Sequence, residues 1–193
     1  CVAVRKAVGD DFRLMLDSTW SYSYTDALRV GRAIEELNYY WYEDPMSDED
    51  IYNYVKLREK LDIPILATEF PAGGLETYPI WLTERATDYL RGDIPNKGGL
   101  TTMLKTAHLA EAFCLKYEIH HSGNSLNNLA NLHLCMEMFL SMTGLRMVHV
   151  PYKGASQAIA DVSAGYVPLM ITNMITGTAQ VKAGKLHAYG VTS

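Results

Sequence analysis

The sequence holds only three cysteines, Cys1, Cys114 and Cys135, and their spacing fits neither a disulfide framework nor a zinc site. No apolar run approaches the roughly 20 residues that cross a bilayer. No block of like charges offers a basic arm or an acidic tail. The formal charge of -5 argues against a surface built to grip a phosphate backbone. The opening stretch Cys1-Val2-Ala3-Val4-Arg5-Lys6 lacks the apolar core of a signal peptide. It also starts with Cys rather than Met, which suggests a piece of something longer. The expectation is a cytoplasmic chain with no nucleic-acid partner and no membrane. What is present is 193 residues, 48% of them apolar, which is enough for a sizeable core.

The chain has a rhythm. Five short apolar runs end in a polar residue at Asp17, Glu43, Glu69, Asp93 and His120, a step of 24 to 27 residues each time. Helical stretches fill the gaps, at 25–37, from about 47, at 79–84 and at 100–113. The first opens on a Thr/Asp pair and the second on Ser47-Asp48-Glu49-Asp50, where acids suit the positive end of the helix dipole. Strands alternating with helices at this interval are successive βα units of a parallel sheet. Equivalent positions in such units project from one carboxyl edge, where a (β/α)8 barrel keeps its chemistry. The expected fold is therefore α/β, a partial barrel of five βα units.

Three carboxylates converging on one rim repel one another unless a cation lies between them. Oxygen-only ligands favour a hard divalent ion, Mg2+ first and Mn2+ second. Such an ion holds a substrate carboxylate and offsets the charge left when its α-proton departs. Asp93 and His120 follow on the next two strands, as a dyad in which the acid orients the imidazole for proton transfer. His121 is adjacent and stays open as the alternative base.

In order along the chain stand Leu14-Met15-Leu16-Asp17, Trp41-Tyr42-Glu43-Asp44-Pro45, Ala67-Thr68-Glu69, Gly92-Asp93-Ile94-Pro95-Asn96-Lys97-Gly98-Gly99 and Glu118-Ile119-His120-His121-Ser122-Gly123-Asn124. Together they resemble the barrel domain of the enolase superfamily, in its mandelate racemase and acid-sugar dehydratase branch, over residues 1–136. The resemblance implies that Asp17, Glu43 and Glu69 hold Mg2+ and that Asp93 and His120 form the acid–base dyad. It implies a lyase or racemase acting on a carboxylate or sugar-acid substrate. The family barrel begins two units earlier with a Lys-x-Lys base, and its capping domain and eighth strand lie outside these motifs. Incomplete turnover is expected, as is self-association through open sheet edges.

The rhythm changes near residue 137. Apolar runs at 147–150, 167–171 and 186–191 recur about every 20 residues, with helices between them closed by Gly165 and Gly184. This reads as a βαβαβ segment, and its three strands added to five make the eight that close a small barrel. The motifs at 137–144, His149-Val150-Pro151-Tyr152-Lys153-Gly154 and 182–186 resemble periplasmic solute-binding proteins of tripartite tricarboxylate transport. That resemblance implies a small-carboxylate binding segment over 137–193. It makes the chain a chimera of two fragments, with a binding module or an inactive remnant as the alternatives to an enzyme.

Overall fold

The computed structural model describes residues 1–69, 73–120, 125–148, 150–172 and 174–190. They divide into two compact units, Cys1–Cys135 and Met136–Ser193. The first unit runs α1 (Val2–Val8), β1 (Leu16–Asp17), α2 (Tyr24–Glu35), β2 (Tyr42–Glu43), α3 (Ile51–Arg58) and β3 (Ile65–Ala67). A 3-10 turn (Leu75–Thr77) follows, then α4 (Pro79–Thr83), β4 (Tyr89–Gly92), α5 (Leu100–Ala112), β5 (Lys116–Ile119) and the helix α6 (Ser125–Thr143), which belongs to this unit as far as Cys135. The five strands form one sheet in the order β1-β2-β3-β4-β5, every pair parallel. Each strand thus lies beside the next in sequence, with a helix as the crossover. Strands β1 and β5 are the edges of this sheet.

Local chemistry explains the elements. Ser23 caps α2, its side-chain oxygen accepting from the Asp26 amide at 3.3 Å, and Asp50 does the same for α3 through Asn53. The buried residues of α2, Ala27, Gly31 and Ile34, recur at helical spacing and face the sheet. Tyr42, Ile65, Ala67 and Leu90 meet them from the strands, with Tyr54 of α3 and Trp81 of α4 in edge contact at 4.9 Å. The opposite sheet face is polar and aromatic. Trp41 meets Tyr89 edge-on at 6.3 Å, and the Lys116 ammonium donates to the Tyr40 hydroxyl at 3.1 Å.

The second unit carries α7 (Ala155–Ser163) and α8 (Met174–Lys182). Gly165 and Gly184, at φ 79° and 70°, end these helices in the left-handed conformation. The Tyr152 hydroxyl donates to Asp161 at 2.7 Å. The expectation of three further strands completing an eight-stranded sheet is corrected here. Among the described residues the sheet has five strands, and the runs around 147–150, 167–171 and 186–190 form none. A strand needs a ladder partner, and Val148, Val150, Leu169 and Ile171 remain exposed. No helix among the described residues is long and apolar enough to cross a membrane.

Candidate active site

The five residues marked by the repeat all lie at the carboxyl edge of the sheet. Asp17 and Glu43 end β1 and β2, Asp93 and His120 directly follow β4 and β5, and Glu69 stands two residues past β3. Strand alternation sends Tyr42 and Leu90 into the helix-covered core and Glu43 and Arg91 to the other face. The same alternation would place Glu69 with Ile65 and Ala67, inside the core. Thr68 breaks it. At φ 85° it occupies a conformation costly for a β-branched residue, and its hydroxyl is locked to both the amide and the carbonyl of Arg91 at 2.9 Å. Glu69 thereby turns toward Glu43 and His120.

His120 sits between two carboxylates. Its Nδ1 lies 3.1 Å from Asp93 Oδ2 and its Nε2 lies 3.2 Å from Glu69 Oε1. Asp93 is fully buried, and its Oδ1 accepts from Asn127 Nδ2 at 2.8 Å. Asn131, one helical turn on, donates from Nδ2 to the His120 carbonyl at 3.0 Å. Helix α6 therefore fixes both members of the dyad. His121 lies outside the described residues.

The carboxylates form a second cluster. One oxygen from each of Glu43, Asp44 and Glu69 lies within 4.8 Å of the others, and all three residues are buried. This oxygen-only set fits a hard divalent cation. Asp17 stands beside it, exposed, its Oδ1 accepting from the Thr19 amide at 3.0 Å and from the Thr19 hydroxyl at 3.2 Å. Its charge still reaches the cluster. Glu69 is pushed up to about 7, first by burial and then by the charges of Asp17, Asp93 and Asp48. Asp44 is pushed up to about 9 by burial, and by Asp48, Glu69 and Asp17. On the other side lies Lys97, fully buried, its ammonium 5.0 Å from the centre of the Tyr78 ring. Burial draws that lysine down to about 8 against the opposing pull of Asp48, Asp44 and Glu76.

Sequence pattern alone singled out neither Asp44, Arg91, Asn127 nor Asn131 as part of this site. Two signals were available. Arg91 precedes Asp93 by two, the strand period, and Asn127 and Asn131 share one helix face at a spacing of four. Asp44 carries no such signal. It reaches the cluster because its own backbone is left-handed, at φ 39°.

The sequence profile of the family described as enolase C-terminal domain-like matches residues 1–182. This chain belongs to that family. Its sheet is a partial (β/α)8-type barrel, and among solved structures it is similar to D-glucarate dehydratase from Agrobacterium tumefaciens complexed with magnesium. The identity there is 44% and the TM-score 0.64, over 70% of this chain and 34% of that one. It is also similar to L-talarate dehydratase from Polaromonas sp. JS666 complexed with Mg and L-glucarate. That match has 34% identity and a TM-score of 0.59, over 63% of this chain and 34% of the other. The chain is also 35% identical over 63 residues to the UPF0065 protein in the clcB-clcD intergenic region of Pseudomonas knackmussii, covering 33% of this chain and 37% of that protein. The chain thus spans only about a third of the length of each of these relatives.

Proposed function

We propose that the first unit binds Mg2+ and a sugar-acid carboxylate and exchanges the substrate's α-proton, the chemistry of an acid-sugar dehydratase or racemase. The observation that carries this reading is His120 held between buried Asp93 and Glu69 at the rim of a parallel sheet. Glu43 and Glu69, with Asp44 and Asp17 beside them, are the residues that would hold the ion. Bound there, Mg2+ supplies positive charge for the substrate's carboxylate, and Mn2+ suits the same donors.

The chain's own residues do the rest. Asp93 accepts from Nδ1 and fixes the ring, which leaves Nε2 as the atom that takes and returns the proton. Asn127 keeps Asp93 in place and saturates its second oxygen. The same imidazole, once protonated, is positioned to help a β-hydroxyl leave as water. None of the five strands carries a Lys-x-Lys pair. Proton exchange at His120 is the activity proposed for these five strands.

The test couples two measurements. Calorimetric titration is expected to show Mg2+ binding to the parent and none to the Asp17→Asn/Glu43→Gln/Glu69→Gln triple variant. In deuterated water the parent with Mg2+ should wash deuterium into the α-position of D-glucarate, and His120→Asn should slow this at least a hundredfold. A parent that binds no Mg2+, or exchange that survives in His120→Asn, would remove the assignment.

A second reading concerns the other unit, as a segment that captures a small carboxylate without chemistry. It is favoured by the division of the chain after Cys135. Lys153 precedes Gly154, the residue that caps α7. Lys153→Ala is expected to weaken citrate binding several-fold, and unchanged binding by calorimetry would count against this reading.

A further inference from the structure

The acids at the sheet rim already have a cation among them. Arg91 leaves the middle of β4 on the polar face, and its Nη1 pairs closely with Glu43 Oε1 and lies 3.8 Å from Glu69 Oε2. Its guanidinium carbon also stands 5.8 Å from the centre of the Trp41 ring. The acceptor end is rigid, because the Trp41 indole N–H donates to the other Glu43 oxygen at 3.1 Å. The donor end is not. Arg91 Nε is buried and has no hydrogen-bond partner among the described residues, so one terminal nitrogen makes both carboxylate contacts.

We propose that Arg91 is the resident counter-ion of this rim, a positioning residue that holds Glu43 and Glu69 together without metal and that a divalent cation must displace. The proposal rests on the reading of these acids as a cation site. Two buried carboxylates cannot share one edge uncompensated, and a guanidinium paired with Glu43 and within 3.8 Å of Glu69 offsets one of their two charges in place. A divalent ion binding the same oxygens either moves the arginine aside or meets its repulsion. In both cases Arg91 lowers the affinity of the filled site while preserving the shape of the empty one. Nε has no hydrogen-bond partner among the described residues, so no bond at that atom has to break when the guanidinium moves. Lysine at this position would keep the charge, and glutamine would remove it.

The two roles predict changes of opposite sign, which a merely structural residue would not produce. In Arg91→Gln, Mg2+ should bind at least tenfold more tightly than to the parent by calorimetry. The melting temperature without metal should fall, and saturating Mg2+ should bring it back to the parent's. Arg91→Lys should return both quantities most of the way to the parent values. Equal or weaker Mg2+ binding by Arg91→Gln, beside a parent that binds, would overturn the counter-ion role and leave the cation site standing. Absence of Mg2+ binding in parent and variant alike would remove the cation site and the competition with it. An Arg91→Gln chain that stays unfolded at saturating Mg2+ would also overturn the proposal, since the ion is held to replace what the arginine supplied.

Discussion

Glu69→Gln is expected to lower the affinity of the chain for Mg2+ by at least a hundredfold while leaving its far-ultraviolet circular dichroism unchanged. Glu69 is where the two clusters meet. It offers one oxygen to the group formed with Glu43 and Asp44, and its Oε1 faces His120 Nε2 at 3.2 Å. The amide keeps the shape and removes the charge, so the loss falls on the ion and not on packing. The pH dependence is the sharper check. Burial and the Asp17, Asp93 and Asp48 carboxylates raise this group from 4.5 to about 7, so the folded chain holds its proton more tightly than the unfolded chain does. Its contribution to stability without metal is therefore full below about 4.5 and is lost as pH rises through about 7. Mg2+ competes with that proton, so affinity in the parent should climb with pH up to and through 7. In Glu69→Gln both dependences should flatten in this window, leaving a later change near 9 from Asp44. A parent whose Mg2+ affinity is constant between pH 5.5 and 8 would contradict the assignment.

The largest loss of stability is expected from Arg5→Ala, about 3 kcal/mol, and it has no direct connection with the rim. Arg5 is buried, and its guanidinium donates to four carbonyls at 2.8 Å or closer, with Asp10 O a fifth at 3.4 Å. Nε donates to Leu37 O at 2.8 Å, Nη1 to Gly9 O at 2.8 Å and Phe12 O at 2.6 Å, and Nη2 to Asn38 O at 2.8 Å. One side chain thus ties α1 to the segment before β1 and to the turn between α2 and β2. Truncation leaves those carbonyls facing a small void with no donor. For a chain of this size the melting temperature should drop by about 10 °C in a thermal scan. Lysine should recover less than half of it, because an ammonium cannot fork across four acceptors. A drop below about 2 °C would mean that water replaces the guanidinium and that Arg5 is no staple.

Much of the fold was legible because its signals are local. A polar residue closing each apolar run, at a step of 24 to 27 residues, was enough to place five parallel strands and their shared edge. Caps such as Asp50 and the glycines ending α7 and α8 were equally local, and each lies within a residue or two of its expected place. The three apolar runs of the second unit carried the same kind of signal and form no strands among the described residues. Apolar runs state a preference for burial, while a strand requires a ladder partner that no run can supply for itself.

The order of the strands, and the residues that reach their carboxyl ends, follow from the spacing of the apolar runs alone. Tertiary structure decided which of those residues meet. Asp44 joins Glu43 and Glu69 while Asp17 bonds back to Thr19, because left-handed backbone at Asp44 and Thr68 overrides the two-residue alternation. Arg91 enters the rim from a neighbouring strand, and Asn127 and Asn131 reach the dyad from a helix that follows it in sequence. Periodicity records how a residue faces its own element. Contacts across strands depend on register and on a few strained dihedrals, and those are settled only when the sheet assembles.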